Sequence, residues 1–391
     1  HVYQGYHYPD SSGHLMAIRP TDFYDQLASH GVEFFTGVPD SLLKEFCLCI
    51  DDFIPRDKHI ITANEGNAVA LAAGYYLAQK SLPLVYMQNS GLGNAVNPLL
   101  SLCDPDVYSI PMLVMIGWRG EPGVKDEPQH AKQGKVQLKL LESMDIPYEI
   151  ISKDDDQFEM KISSAVETAK NESRPAVLLI KKGTFEKYGK KRKRSDDQRM
   201  NREKALEIIL KNLDDNAIVV STTGKTSREI FEIREKRGQS HQQDFLTVGS
   251  MGHCSSIALG IALSKPNREV VCIDGDGSML MHLGSLTSIA SLKPKQFRHI
   301  LMNNGVHESV GGQSTAADKI DLSDIVSSLQ TNTMFKAKTS MELKSNIVEF
   351  LTCKGPSFLE VIVQPGSRKN LGRPTIDPID NKISFMKFVD K

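Results

Sequence analysis

The chain has 391 residues, of which 40% are hydrophobic and 24% are charged, and its formal net charge is −1. The length predicts two globular domains of under about 200 residues each. The near-neutral charge argues against a nucleic-acid-binding protein, and the absence of an apolar run of roughly 20 residues argues against a membrane protein.

Two features bear on the compartment and on the N-terminus. The six cysteines are scattered, mostly in apolar runs, and lack the paired spacing of a metal site. We therefore predict reduced core thiols and a cytoplasmic protein. Residues 1–17 show no periodicity and no initiator methionine, which fits a tag remnant, a trimmed transit segment or a disordered tail, so they are left out of the fold prediction.

Strand and helix patterns alternate over residues 18–185. A helix capped by Thr21 is followed by apolar runs that predict strands at 32–35, 60–62, 83–87, 111–116, 148–151 and 176–181. Strands separated by helices indicate a doubly wound parallel sheet. We predict a first α/β domain with these bounds.

Polar residues stand where several of these strands end. Asp40 and Ser41 lie in a turn that opens a helix, and Glu65 follows a strand and precedes a helix rich in Ala and Gly. Asp40 is equally well explained as a helix N-cap, and Glu65 as a first-turn glutamate stabilised by the helix dipole.

The stretch 117–135 is polar and rich in Pro and Gly, which favours a surface loop. It carries Arg119, His130 and three lysines, Lys125, Lys132 and Lys135. Solvent exposure explains each of them singly. As a set they suit an anionic substrate group, with His130 as an acid or base near neutral pH.

A charged segment, residues 186–200, separates two α/β patterns. Its basic run Lys190–Arg194 is also typical of a nuclear-import or nucleic-acid-binding patch, but such blocks are more often solvated linkers. We predict an interdomain connection, followed by a helix that begins near Asn201.

Residues 201–385 repeat the alternation and predict a second α/β domain. Apolar runs at 217–221, 245–248, 270–273, 299–302, 332–335 and 358–363 predict its strands, and the sequence from Pro365 onward has little pattern. The Gly224-Lys225-Thr226 tripeptide suggests a nucleotide-binding P-loop. We reject that interpretation because Val219 stands where the motif needs glycine.

The most informative stretch is the strand–helix–strand unit from Glu269 to Ser309. Asp276, within Gly275–Ser278, and Asn304 follow its two strands, so both lie at the sheet edge where α/β proteins bind ligands. Carboxylate and amide oxygens suit Mg²⁺ better than zinc or copper, and a helix N-terminus favours phosphate oxygens. The unit predicts a magnesium diphosphate site, although each motif alone also fits an ordinary turn.

The GDGS sequence, with two asparagines beginning 25 positions later, resembles the motif of thiamine diphosphate-dependent 2-keto acid decarboxylases. The resemblance covers about residues 19–365 and includes TGVPDSLLK, ANEGNAVALAAGYYLA, QNSGLGNAVNPLLSL, GWRGEPGVKDEPQH, VGSMGH, DGDGS and NNGVHESVGGQ. It implies two domains of the thiamine diphosphate-binding fold and no central third domain. The pyrimidine side of the cofactor would be bound by residues 18–185, and the diphosphate and Mg²⁺ by residues 201–385.

The resemblance also implies residue roles. Glu65 activates the cofactor at its pyrimidine nitrogen, the carbonyl of Gly249 accepts from the 4′-amino group, and Met251 supports the bent cofactor. The implied Mg²⁺ ligands are Asp276, Asn304 and the carbonyl of Val306. The full set of implied cofactor contacts is Glu65, Thr223, Gly224, Gly249, Met251, Gly275, Asp276, Gly277, Ser278 and Asn304.

Within the family, the stretches are most similar to the members that convert 3-phosphonopyruvate to phosphonoacetaldehyde and CO₂, and those acting on sulfopyruvate share much of the pattern. Asp40 and His130 are candidates for proton transfer. His130, preceded by Gln129, stands where related decarboxylases have a histidine pair. The candidate substrate contacts are Ser41, Arg119, His307 and Ser309.

The family implies a homodimer or homotetramer in which Glu65 and Asp276 serve one cofactor from different chains. Three alternatives remain open at this point: a carboligase with the same cofactor, a Mg²⁺-nucleotide hydrolase or regulator, and a nucleic-acid-associated protein. The missing third domain argues against the first, the failed P-loop against the second and the net charge against the third.

Overall fold

The computed structural model describes residues 17–189, 199–329 and 333–391. Residues 1–16 and the basic run Lys190–Arg194 of the predicted linker lie outside the described residues. Every strand of one sheet falls within 18–185 and every strand of a second sheet within 201–385. The domain and linker boundaries themselves stay predictions.

The first sheet has six parallel strands in the order β2-β1-β3-β4-β6-β5. These are β1 (Phe35–Gly37), β2 (His59–Ile61), β3 (Leu84–Gln88), β4 (Met112–Gly117), β5 (Tyr148–Ile151) and β6 (Pro175–Ile180). Its helices are α1 (Pro20–Ser29), α2 (Lys44–Phe53), α3 (Glu65–Gln79), α4 (Leu92–Ser101), α5 (Pro128–Ser143) and α6 (Phe158–Glu172).

The second sheet also has six parallel strands, in the order β13-β14-β10-β9-β7-β8. These are β7 (Ile218–Ser221), β8 (Asp244–Leu246), β9 (Val270–Gly275), β10 (Phe297–Asn303), β13 (Thr333–Ala337) and β14 (Ser357–Ile362). A short antiparallel ribbon is formed by β11 (Val306–His307) and β12 (Gln313–Ser314). The helices are α7 (Arg202–Asn212), α8 (Lys225–Lys236), α9 (Cys254–Ser264), α10 (Asp276–Met281), α11 (Ser285–Leu292), α12 (Leu322–Ser328), α13 (Ser340–Thr352) and α14 (Pro378–Val389).

The central strands are apolar along their whole length because helices cover both faces of each sheet. Successive residues of β4 enter opposite cores: Leu113 and Met115 pack in one cluster, and Met112, Val114 and Ile116 in the other. The same alternation occurs in β10 of the second sheet. Continuous apolar runs are the signature of such doubly covered strands. The predicted fold class, two doubly wound parallel-sheet domains, is confirmed.

Three sequence interpretations were wrong. The stretch 117–135 is not one loop, because Pro128 begins α5 and His130 lies in its first turn. Helix α1 begins at Pro20 with Arg19 at its N-cap, and the Thr21 side chain does not cap it. The sequence beyond Pro365 contains α14, whose Phe385 and Phe388 pack in the core of the second domain.

The carboxyl ends of β1–β4 and of β7–β10 meet across the space between the sheets. Side-chain contacts join the two halves there: the Asn64 amide donates to the Met281 carbonyl (3.2 Å), and Glu127 pairs with Arg373. Among the described residues, no helix combines the length and the hydrophobicity that crossing a bilayer requires.

Candidate active site

A cavity of about 710 Å³ lies between the carboxyl ends of the two sheets. With the exception of Asp40, the predicted site residues all line it. They are Ser41, Glu65, Arg119, His130, Thr223, Gly224, Gly249, Met251, Gly275, Asp276, Gly277, Ser278, Asn304, Val306, His307 and Ser309. Residues that were predicted from separate sequence motifs therefore line one cavity. Their individual roles stay predictions.

Glu65 occupies the first-domain end of the cavity. It begins α3, whose N-cap Asn64 accepts from the Asn67 backbone amide (3.0 Å), and its side chain is almost fully buried. The Asn94 side-chain amide donates to Oε2 (2.8 Å), and burial raises the pKa of the carboxyl. A carboxyl that prefers to keep its proton is suited to sharing it with a ring nitrogen.

Gly91 makes room for the Glu65 carboxyl. A Cβ at position 91 would lie 2.2 Å from Glu65 Oε1, far inside contact distance. Neither Gly91 nor Asn94 was singled out from the sequence. Both lie in QNSGLGN, the turn after β3, so the position of that motif at a strand end is the signal that could have found them.

Asp40 lies one hydrogen bond away from the cavity. Its carboxylate is fully buried and accepts from Gln88 Nε2 (2.7 Å) and the Leu42 amide (3.0 Å), and burial raises its pKa. Gln88 lines the cavity whereas Asp40 does not. One interpretation is corrected: Asp40 does not cap a helix, because α2 begins only at Lys44. Its role in proton transfer stays a prediction.

Arg119 and Ser41 form a polar pair on the first-domain wall. Arg119 Nη1 donates to Ser41 Oγ (2.8 Å), and its Nε donates to Asp126 Oδ2 (2.8 Å). The guanidinium holds the pKa of Asp126 down to about 2, so the ion pair persists at any working pH. The three lysines grouped with Arg119 are exposed and lie outside the cavity, so the predicted cationic set is reduced to Arg119.

His130 and His307 face the cavity as neutral rings. Burial and the neighbouring Arg119 lower the pKa of His130 to about 4, and burial lowers that of His307 to about 4. The buried Nδ1 of His130 has no hydrogen-bond partner. A buried nitrogen without a partner is costly, which indicates that a bound group supplies the partner.

Asp276 and Asn304 stand together at the second-domain end. Asp276 is 3% exposed, and its carboxylate accepts from the Thr315 hydroxyl and from the backbone amides of Gly277 and Asn304. Burial nevertheless raises its pKa to about 6, so a cation beside this carboxylate would stabilise its charged form. With the Asn304 amide oxygen and the Val306 carbonyl this is a hard oxygen set, which fits Mg²⁺.

A buried charge network supports the Asn304 turn. Glu308 accepts from Asn304 Nδ2 (3.0 Å), Arg202 Nη1 (2.8 Å) and Lys225 Nζ (2.9 Å), and these cations lower its pKa to about 2. Arg202 is also paired with Glu229, which is 1% exposed. Sequence reasoning missed this network because its members come from α7, α8, the β10–β11 turn and the residue after β11, and no spacing in the chain connects them.

Met251 is projected into the cavity by a tight loop between β8 and α9. Its neighbours Gly249, Ser250 and Gly252 all have positive φ (70°, 47° and 90°), a conformation that glycine adopts without strain. Thr223 Oγ1 accepts from the Gly249 amide (3.0 Å) and Ser278 Oγ from that of Gly252 (3.1 Å). The loop is thus fixed to the turns that would hold a diphosphate.

Glu65 and Asp276 line the cavity of one and the same chain. The predicted arrangement, in which they serve one cofactor from different chains, stays a prediction, because the fold of one chain does not test it. A predicted homodimer or homotetramer is not tested by the fold of a single chain.

Comparison with known proteins identifies both domains. Residues 21–141 match the family described as thiamine pyrophosphate enzyme, N-terminal TPP binding domain, and residues 222–361 match its C-terminal TPP binding domain. Thiamine pyrophosphate is thiamine diphosphate, so the cofactor implied by the motifs is the one for which these domains are named.

Curated relatives match over nearly the whole chain. Phosphonopyruvate decarboxylase of Streptomyces viridochromogenes is 34% identical over 388 residues, 95% of this chain and 95% of that protein. Phosphonopyruvate decarboxylase of Streptomyces hygroscopicus is 34% identical over 95% of this chain and 94% of its own length. Sulfopyruvate decarboxylase of Methanosarcina acetivorans is 28% identical over 86% of this chain and 89% of its own length. The chain therefore belongs to the phosphonopyruvate decarboxylase family of thiamine diphosphate-dependent enzymes.

Proposed function

We propose that this protein decarboxylates 3-phosphonopyruvate to phosphonoacetaldehyde and CO₂, using thiamine diphosphate anchored by Mg²⁺. The observation that carries the proposal is the placement of Glu65 and of the Asp276–Asn304 pair in one cavity. The substrate follows from the two phosphonopyruvate decarboxylases that this chain matches over 95% of its length. Bound thiamine diphosphate supplies the nucleophilic carbon that adds to the keto group and takes up the electrons left by CO₂.

The second-domain end would hold the cofactor. Asp276, Asn304 and the carbonyl of Val306 provide the Mg²⁺ ligands, and the backbone amides at the start of α8, after Gly224, favour the diphosphate oxygens. Glu308 keeps the Asn304 side chain in place through its hydrogen bond to Nδ2. The residues at this end would bind the metal and the diphosphate, and they would not take part in the reaction at the keto carbon.

The residues at the first-domain end would carry out proton transfer. Glu65, buried and with a raised pKa, holds a proton at the pyrimidine nitrogen. His130, neutral because its pKa is lowered to about 4, accepts or delivers a proton at the substrate through the nitrogen that lacks a partner. Burial of this end lowers the local dielectric around Glu65, which favours loss of a charged carboxylate.

Arg119 is the cation that we assign to the phosphonate. Its Nη1 and the Ser41 hydroxyl both face the cavity. A phosphonate oxygen would replace Ser41 Oγ as the acceptor of the hydrogen bond from Nη1. Charge-assisted hydrogen bonds from guanidinium to an anion are the strong type. His307 and Ser309 lie across the cavity, where Ser309 Oγ approaches Gly224. We keep both as substrate contacts.

Three finer points belong to the same proposal. Mg²⁺ is proposed as the metal because the ligand atoms are hard oxygens. A cytoplasmic location is supported by six free cysteines, five of them buried. A homodimer or homotetramer is proposed from the family resemblance.

The decisive assay compares three substrates with and without the cofactor. CO₂ release from phosphonopyruvate, sulfopyruvate and pyruvate is measured with the metal-stripped protein, and thiamine diphosphate and Mg²⁺ are then added singly and together. We expect turnover only with both, and a preference for phosphonopyruvate. Preference for sulfopyruvate would change the assigned substrate but not the cofactor or the reaction type. That outcome is included because one relative, 28% identical, is a sulfopyruvate decarboxylase. Turnover without the cofactor would overturn the mechanism.

A further inference from the structure

Four chemically soft or ionisable side chains meet under α9, behind the edge that carries Asp276. Cys272 and Asp274 alternate along β9 and so point to the same face, and His299 stands beside Cys272 in the register between β9 and β10. Cys254 is the first residue of α9, which packs on this face. Their exposed fractions are 1% for Cys254, 0% for Cys272, 1% for Asp274 and 3% for His299.

Three members of this cluster, Cys254, Cys272 and Asp274, have the spacing of a metal site. The sulfur atoms of Cys254 and Cys272 are 3.8 Å apart. Tetrahedral zinc with Zn–S bonds of about 2.3 Å separates two thiolates by about 3.8 Å. One ligand atom each from Cys254, Cys272 and Asp274 can be chosen so that these three lie within 4.8 Å of one another. His299 Nε2 lies outside that set and is 3.6 Å from Asp274 Oδ2.

His299 adds a second observation. Its Nε2 is buried and has no partner within hydrogen-bond distance, since Asp274 Oδ2 is 3.6 Å away, and folded proteins avoid that situation. Asp274 is already oriented, because its Oδ1 accepts from the Gly275 amide (2.8 Å) and leaves Oδ2 towards the cluster.

We propose that Cys254, Cys272, Asp274 and His299 bind a structural zinc ion. Two thiolates and an imidazole favour zinc over magnesium, and four protein ligands leave no open position for catalysis. The ion would tie the start of α9, and with it the Met251 loop, to the two strands that end at Asp276 and Asn304. This inference is independent of the substrate and of the proposed decarboxylation.

The cluster escaped the sequence analysis because its cysteines are 18 residues apart and lie on a helix and a strand. Short paired spacings mark zinc sites formed by loops, whereas this one is assembled by the sheet. Because every ligand is buried, the ion would enter while the chain folds. Zinc added to the folded, metal-free protein should therefore bind slowly or not at all.

Metal content of the full-length protein tests the proposal. Protein produced in zinc-supplemented medium is dialysed against buffer with Mg²⁺ and analysed by mass spectrometry of the metals. We expect one zinc per chain in the wild type and in Cys103→Ala, a matched buried thiol in the core of the first domain. The Cys254→Ala/Cys272→Ala variant should retain less than a tenth of that zinc. A wild type without zinc, or equal zinc in both variants, would overturn the proposal.

A second measurement covers the case in which the double variant does not fold. Wild-type protein is refolded from denaturant with Co²⁺ in place of zinc, and its absorption spectrum is recorded. Tetrahedral cobalt bound by thiolates gives sulfur-to-metal charge-transfer bands, which we expect. Their absence contradicts the site. Titration of thiols in denaturant without reductant should show all six, and the loss of two would reveal a Cys254–Cys272 disulfide instead of a metal.

Discussion

At the first-domain end of the cavity, Glu65 is buried beside Gly91 and Asn94 and keeps a raised pKa, whereas at the second-domain end Glu308 is surrounded by cations and its pKa falls to about 2. Both glutamates line the same cavity, Glu65 buried and Glu308 partly buried. The difference lies in their neighbours: desolvation dominates for Glu65, and Arg202 and Lys225 dominate for Glu308. The first environment suits proton transfer and the second suits a fixed structure that holds charge. The cavity thus separates activation from anchoring.

Replacing Glu65 by Gln should have the largest effect on turnover. The amide keeps the size of the side chain but cannot hold the proton at the pyrimidine nitrogen, so kcat should fall about 10²- to 10⁴-fold, the range of general acid–base catalysis. Steady-state kinetics measures this. Glu172→Gln, an exposed control at the end of α6, should behave as the wild type. Full activity of E65Q would remove Glu65 from the mechanism.

Replacing Asp276 by Ala should act on binding. Removal of the buried carboxylate takes away a Mg²⁺ ligand, and the affinity for thiamine diphosphate with Mg²⁺ should fall more than about 100-fold. Calorimetric titration measures the affinity, and circular dichroism checks that the fold is kept. If D276A bound the cofactor as the wild type does, the anchor would have to lie elsewhere.

Gly91→Ala tests the fit around Glu65 without removing a functional group. A Cβ there would lie 2.2 Å from Glu65 Oε1, so the carboxyl must move, and misplacement by about 1 Å can reduce turnover by about 100-fold. Gly93→Ala is the matched control, because a Cβ at position 93 meets nothing within 4 Å. Equal loss in both variants would show that the effect is not steric.

Glu308→Gln should change stability and its pH dependence. The pKa of Glu308 is lowered from 4.5 to about 2 in the folded chain, which corresponds to about 3 kcal/mol of stabilisation at neutral pH. Because the folded pKa is the lower one, this contribution is fully present above pH 4.5 and is lost as the pH falls towards 2. Urea unfolding at several pH values should show wild type and variant converging in acid. A constant difference would contradict the assignment.

The sequence predicted those parts of the site that follow strand ends. Glu65, Asp276 and Asn304 each stand two or three residues after the end of an apolar run, and the edge of a parallel sheet brings such residues together whatever lies between them. The sequence did not predict those parts of the site whose positions depend on tertiary packing. The burial of Asp40 and the joining of Arg202, Glu229 and Glu308 depend on contacts between distant segments, which neither periodicity nor spacing encodes.

The separation of activation from anchoring is tested most directly by exchange of the thiazolium C2 proton in the bound cofactor. Thiamine diphosphate and Mg²⁺ are bound to the wild type and to E65Q at saturation, the solutions are transferred to D₂O, and exchange is followed by quenched-flow NMR. We expect E65Q to bind the cofactor with an affinity within about threefold of the wild type, because Asp276 and Asn304 are intact, and to exchange the proton at least about 100-fold more slowly. Wild-type exchange in E65Q, or a large loss of cofactor affinity in E65Q, would contradict the account.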